Sequence, residues 1–408
     1  MKKGFIALLS MLLVLVCLGM RPATAHAEDD YEYLLYGFQV VLDGSFEVRV
    51  YVNLSEELAT DNNLEMQFKV GDRVLQSKKV GEYSRTVYFT CNLGSSELTE
   101  TISADLYYDG SKHHVLDYSV YDYLLKLLEQ NKNQSDYSKL ENLVNHLLNY
   151  AAYSQIYFDK NTTQLANAHL SGNPVEDLSD SQVKGAITPI HNNSFENDVL
   201  RYVGCSLICE TDTSLRMYFV KKTDAGLQSI LKDYPVKLDE RLAAEGEIEE
   251  LGSVIAVTFR QIPANLLDGI HTVTIGSGAQ KLEVSGSVLD YIRQSMDSGN
   301  EKLRNLSKAL YLYHEMAKEY AATRTGNEFF VKDGIIYRSY KDGLAVVGIE
   351  TPCAYVVIPE VIGGKYVIRI DDYAFQNDTS LTTIELPDSI VSIGKGAFKN
   401  CSKLITMN

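Results

Sequence analysis

Apolar and polar residues alternate in short runs through the first hundred positions: Phe38-x-Val40-x-Leu42, Phe46-x-Val48-x-Val50-x-Val52 and Val87-x-Phe89-x-Cys91. A period of two puts one set of side chains on one face of an extended chain, so these runs predict half-buried β-strands. Asp43-Gly44, Gly71-Asp72 and Asp109-Gly110 punctuate the region with turn residues. The period then lengthens. Leu140, Leu143, Leu147 and Ala151 recur at helical spacing and form one apolar stripe. Ser119-x-x-Asp122 and Ser287-x-x-Asp290 read as helix N-caps, where a hydroxyl accepts from an exposed backbone N–H.

This order of elements occurs twice. Val40-x-Leu42 followed by Arg49-Val50-Tyr51 matches Leu207-x-Cys209 followed by Arg216-Met217-Tyr218, an offset of 167. Ser119-Val120-Tyr121-Asp122-Tyr123 matches Ser287-Val288-Leu289-Asp290-Tyr291 at 168. Leu140, Asn142, Leu143, Leu147, Tyr150 and Tyr157 match Leu303, Asn305, Leu306, Leu310, Tyr313 and Tyr320 at 163. Residues 28–160 and 198–324 are therefore expected to be two tandem β-sandwich-like modules within an α+β multi-domain chain. Each ends in a helix pair that covers a sheet face or packs between the copies. Residues 161–197 are polar, with several Asn and Pro, and read as a linker with partial structure. The acidic stretch 238–251 reads as a solvated helix or loop.

A shorter period closes the chain. Ile370-x-x-x-Ala374-Phe375-x-Asn377-x-x-x-Leu381-x-x-Ile384 returns 23 residues later as Ile393-x-x-x-Ala397-Phe398-x-Asn400-x-x-x-Leu404-x-x-Met407. A fixed period of this size with its apolar positions held is the mark of a short solenoid. Ile358-Pro359 anticipates Leu386-Pro387 at 28, the extra length falling at Gly363-Gly364. Residues 325–408, including an N-terminal cap with turns at Asp333-Gly334 and Asp342-Gly343, resemble the BspA-like leucine-rich repeats of bacterial surface proteins. Ala374/Ala397, Phe375/Phe398, Leu381/Leu404 and Ile384/Met407 are expected to point inward. Gly394, and Asp371 before it, are expected to take the left-handed turn, and Cys401 to be a buried thiol. The resemblance implies that the outward strand positions form the binding face: Tyr355, Thr383 and Thr406 in one row, and Val357, Glu385 and Asn408 in another. Asn408 stops the chain inside a strand, with no polar turn after it.

Lys2, Lys3, an apolar run from Phe5 to about Met20 and Ala25-His26-Ala27 describe a secretory signal peptide over residues 1–27. Its removal takes away three cations and no acid, shifting the net charge from −16 to −19. Such a surface repels nucleic acid and anionic lipid, so neither is an expected partner. No later run is long enough for stable transmembrane insertion. Cys91, Cys205, Cys209, Cys353 and Cys401 are odd in number and scattered; they read as small buried residues, with a Cys353–Cys401 bond left open.

No catalytic constellation appears. His314-Glu315-Met316-Ala317-Lys318 starts like a zinc helix but has Lys where the second imidazole belongs. His113-His114 point to opposite strand faces. The sequence holds no nucleophile elbow, phosphate loop or dinucleotide fingerprint, so no catalytic residue, cofactor or metal is expected. Its 27 tyrosines and 13 phenylalanines suit packing positions and form no evident platform. The expectation is a secreted, extracellular or cell-surface-associated bacterial protein that is not an enzyme. It would mediate adhesion through contact with an extracellular protein, a glycan or a cell-wall component. Two alternatives remain: a carbohydrate-active enzyme or accessory module built on the sandwich, and a structural component that self-associates through its uncapped C-terminal repeat.

Overall fold

A computed structural model describes residues 13–15 and 33–407, excepting 43, 56–57, 59–60, 62, 84–85, 133–136, 171, 210–211, 240, 245, 325–328, 333–334, 341–342, 350–353, 363–364, 372 and 377. The expected leader, residues 1–27, lies outside these residues except for a short strand, β1 (Leu13–Leu15). The chain is mixed α/β, with several small sheets.

Strands β2 (Tyr33–Leu42), β3 (Phe46–Leu54), β4 (Glu65–Val70), β5 (Arg73–Lys78), β6 (Gly81–Tyr83), β7 (Thr86–Leu93), β8 (Ile102–Tyr108) and β9 (Ser111–Tyr118) make two antiparallel sheets, ordered β1-β2-β3-β7-β6 and β5-β4-β8-β9. Alternation becomes burial: Val48, Val50, Val52 and Leu54 on β3, and Val87, Phe89, Cys91 and Leu93 on β7, are all within 2 % of complete burial. His113 and His114 fall within β9 and diverge as expected. His113 stacks on Tyr108, and His114 pairs with Asp105 and Asp117. Helices α1 (Val120–Asn131) and α2 (Tyr137–Phe158) follow.

The stretch expected to be a linker is more ordered than its polarity implied. It contains α3 (Pro174–Asp177) and α4 (Asp180–Ala186), and it buries Ala166, Val175 and Val183 completely. The side chain of Gln155 on α2 holds it down, donating to the carbonyl of Gln164 at 3.0 Å and accepting from the N–H of Ala166 at 2.9 Å. A buried amide satisfied by backbone groups fixes a loop as firmly as packing does.

The second half runs β10 (Leu200–Ile208), β11 (Ser214–Lys221), α5 (Leu227–Asp233), β12 (Val236–Leu238), β13 (Arg241–Leu242), β14 (Ile248–Leu251), β15 (Val254–Phe259), β16 (His271–Ile275), β17 (Leu282–Gly286), α6 (Val288–Ser295) and α7 (Glu301–Arg324). Its sheets are ordered β10-β11-β15-β14 and β13-β12-β16-β17, the order of β2–β9 in the first half without a counterpart of β1. The acidic stretch 238–251 is not the helix or loop its charge implied. It contributes to β12, β13 and β14, and Glu249 and Glu250 lie on β14, the last strand of its sheet. Charged residues on an edge strand discourage pairing with other chains. Ser119 and Ser287 each accept from an N–H three residues on at 3.0 Å, capping α1 and α6.

The helix pairs pack between the halves. α2 and α7 lie antiparallel, and Tyr150 stacks on Tyr313 with ring centroids 5.9 Å apart and planes 13° from parallel. Both rings are buried. Matching hairpin turns also meet: Ser45 bridges Asp212, and Thr213 donates to the Gly44 carbonyl at 2.7 Å. Gly44 has φ +73°, and a Cβ there would sit 2.2 Å from the backbone of Gln261, so this junction requires glycine. His314 on α7 is fully buried and shares its Nδ1 hydrogen with the carbonyl of Ala264 at 2.6 Å. Burial lowers its pKa, so it stays neutral at pH 7.

Two outcomes test this junction. Tyr150→Ala should cost about 3–5 kcal/mol in urea unfolding of the full chain, because it opens a cavity at a buried ring pair. A loss below about 0.5 kcal/mol, the scale of a surface substitution, would rule the packing out. Because the folded pKa of His314 is depressed, its contribution is complete above the unfolded value near 6.5 and is lost as pH falls below it. The full chain should lose stability between pH 6.5 and 5 more steeply than His314→Asn, by at most about 1.4 kcal/mol per pH unit.

Candidate functional site: the outward face of the C-terminal repeats

β18 (Phe329–Lys332), β19 (Ile335–Tyr340) and β20 (Gly343–Ile349) form an antiparallel meander; the two expected turns between them lie outside the described residues. Beyond it come β21 (Tyr355–Val357), β22 (Val361–Ile362), β23 (Lys365–Ile370), β24 (Thr383–Glu385), β25 (Ser392–Ile393) and β26 (Thr406–Met407); β22 pairs antiparallel with β23, and the others extend two parallel ladders. One is β21-β24-β26, the other β20-β23-β25. Thr383 pairs Thr406 and Ile370 pairs Ile393, so ladder register equals the 23-residue period. Tyr355 pairs Thr383, the 28-residue step.

The first ladder brings together the site residues expected from sequence. Tyr355, Thr383 and Thr406 stand in one row, and Val357 stands beside Glu385. Asn408 lies outside the described residues. The alternate positions Val356 and Ile384 are fully buried, so the pleat sends the two rows outward. Tyr355 and Val357 are 51 % and 47 % exposed. The Tyr355 hydroxyl donates to Glu385 Oε1 at 2.5 Å, and this bond holds the phenol pKa above its usual value. The face thus presents a phenol, a carboxylate, an isopropyl group and two threonines on rigid backbone. It offers shape and polar contacts; nothing in it is arranged to activate a nucleophile.

Several repeat positions differ from the sequence expectation. Phe375 and Ala397 are buried and Phe375 stacks on Phe398 at 5.2 Å, but Ile393 and Met407 are 47 % and 45 % exposed. Both extend buried columns, and among the described residues no further turn stacks on them. The left-handed residue is not Gly394 or Asp371 but Gly396, with Tyr373 before it, at φ +65° and +60°. Cys401 is half-buried rather than buried, and its thiol donates to the Phe375 carbonyl at 2.9 Å. Cys353, its suggested partner, lies outside the described residues; Cys91, Cys205, Cys209 and Cys401 are free thiols. Burial pushes Cys91 and Cys209 up to about 12, which leaves them unreactive.

Sequence reasoning missed one cluster. Arg338 and Arg369 both bind Asp371, each at 2.9 Å, and both guanidiniums lie over Tyr340, at 5.1 and 5.4 Å. The spacing Arg369-x-Asp371 places those two on one strand face, and that was the available signal. This cluster staples the cap meander to the first repeat. Among the described residues no three His, Cys, Asp or Glu side chains gather where they could hold a metal, and no helix is long and apolar enough to cross a membrane.

A family model described as BspA type Leucine rich repeat region, in 6 copies, matches residues 355–408. Similar solved structures include a T. pallidum leucine-rich repeat protein, 28 % identical over 19 % of this chain and 38 % of that one. A Bacteroides ovatus leucine-rich repeat protein is 38 % identical over 19 % and 23 %. A leucine-rich cell surface protein of Faecalibacterium prausnitzii is 23 % identical over 20 % and 23 %. Each has a TM-score of 0.19. The chain spans less than two fifths of the length of these proteins, and no curated protein matches it. No enzyme family is indicated.

Gly396 tests the repeat geometry. A Cβ there would meet the Tyr373 ring at 2.8 Å, at a φ that side chains avoid. Gly396→Ala should destabilise the repeats by about 1–3 kcal/mol. Hydrogen exchange should then quicken across residues 355–407 and stay unchanged at α2 and α7. The identity these observations support is that residues 355–408 form a repeat region of the BspA-like leucine-rich repeat family.

Proposed function

We propose that this is a secreted, non-catalytic bacterial protein whose repeats contact an extracellular partner, while two copies of one sandwich-and-helix-pair module serve as its platform. The observation that carries the reading is the β21-β24-β26 ladder, where half-exposed Tyr355 and Val357 lie beside Glu385 on a backbone fixed by the buried Val356 and Ile384. An exposed aromatic held in place by its own hydrogen bond loses little entropy on binding, which is what a contact residue needs. The BspA-like family is usually found on surfaces or secreted, and the leader-like residues 1–27 and acidic composition agree with export. Five outward positions give less area than the roughly 800 Å² per partner of a standard interface. The repeats therefore supply the specific contact in an adhesive or scaffolding encounter, with a protein surface as the partner class.

The test is a binding screen of the full chain on extracellular-matrix protein and glycan arrays, repeated with a Tyr355→Ala/Glu385→Ala double variant. The expected outcome is protein binding that the double variant weakens at least tenfold with its unfolding temperature kept. Binding that the variant leaves intact would move recognition away from this face.

A further inference from the structure

We propose that a cleft on the junction between the halves, far along the chain from the repeats, binds one neutral sugar ring of the hexose or N-acetylhexosamine class. Leu165, Asn167, Asn173 and Glu176, from the segment after α2, lie against the α2–α7 pair and with it line a half-open cleft of about 400 Å³, within the roughly 300–1,000 Å³ of small-molecule sites. Tyr153, Ile156 and Leu165 give it apolar surface, while Asn167, Asn173 and Asn305 line it with carboxamides. A pyranose has the same division, C–H faces and hydroxyls that both donate and accept, and a carboxamide can meet a hydroxyl in either sense.

The cavity is built rather than left over. Asn173 Nδ2 donates to the Tyr153 hydroxyl and to Glu176 Oε1, both at 2.8 Å, and Asn167 Nδ2 donates to Asn149 Oδ1 at 2.9 Å. These bonds orient the lining before any ligand arrives, and preorganisation of this kind raises affinity by cutting the entropy lost on binding. Asn305 is the exception. It is half-buried in the wall, and among the described residues its amide has no hydrogen-bond partner.

Comparison of the two flanks of the helix pair supports the assignment. On the far flank Lys139 pairs with Glu319 at 3.8 Å. The equivalent positions on the near flank, by the same 163-residue offset, are Lys302 and Ile156. Ile156 replaces the carboxylate, so an ion pair has given way to an apolar wall. Glu176, Glu301 and Lys302 are exposed at the rim, which leaves the interior groups neutral. Two rim carboxylates disfavour a phosphate or carboxylate ligand, and a neutral polyol fits what remains.

The experiment is calorimetric titration of the full chain with glucose, galactose and N-acetylglucosamine, with alanine and inorganic phosphate as charged controls. We expect saturable one-to-one binding of at least one sugar. Asn305→Leu and the isosteric Asn305→Asp should each weaken it at least tenfold without lowering the unfolding temperature. Lys139→Ala on the far flank, and the Tyr355→Ala/Glu385→Ala variant in the repeats, should leave it unchanged. The proposal is overturned if no sugar binds, if both Asn305 variants bind as the parent does, or if only alanine or phosphate binds.

Discussion

Everything between residues 33 and 324 rests on the contact between α2 and α7. Each half places a long helix against a short 3-10 turn, Ser95–Glu97 against α2 and Ala264–Leu266 against α7, and the two helices then close on one another through the Tyr150–Tyr313 stack. The stacked rings occupy matching positions in the two halves, as do the bridged turns at Ser45 and Asp212. Equivalent residues meeting each other is the geometry of a two-fold interface, here formed within one chain. Such a junction is large and apolar, so the halves share one continuous core instead of moving as separate bodies.

Buried polar groups finish what the apolar contact begins. Ser95 donates to Ser154 at 2.8 Å inside the junction, His314 pins α7 to Ala264, and Gln155 gathers residues 161–166 onto α2. Each would be costly if left without a partner, and each is paired through at least one atom to a group far off in sequence. This is why the ordering of residues 161–197 was not legible from composition. Asn and Pro announce loops, but whether a loop is held depends on a buried amide such as Gln155 on the preceding helix, which the loop's own composition does not report.

The repeats show where sequence legibility begins and ends. The 23- and 28-residue offsets between Thr383 and Thr406 and between Tyr355 and Thr383 became ladder register directly, because a parallel stack must repeat its side-chain column at each turn. The candidate row Tyr355, Thr383 and Thr406 followed from the same rule. Depth of burial did not follow, since it depends on what stacks above and below: Ile370 is buried and its repeat mate Ile393 is half exposed. Backbone sign at the turn also escaped. Gly394 looked like the left-handed residue, yet Gly396 takes that role, and the Tyr373 ring fills the space a Cβ there would need. The edge position of Glu249 and Glu250 was hidden for a related reason: acid-rich runs usually mean solvated loops, and only the pairing of β14 with β15 distinguishes a charged edge strand from one.

Two halves with the same strand order would, on symmetry alone, give like flanks beside the α2–α7 pair. They differ because a connecting segment can lie along only one of them. The segment after α2 returns across its own C-terminal half and the start of α7, and there Ile156 faces it where Glu319 faces solvent on the other side. Lys139 and Glu319 form a surface ion pair on one flank, while Ile156 and Lys302 at the matching positions border the cleft on the other. An ion pair in water contributes little, so its loss on one side costs the fold almost nothing. That near-neutral exchange is how a symmetric junction can acquire an asymmetric site without loss of the packing that holds its halves together.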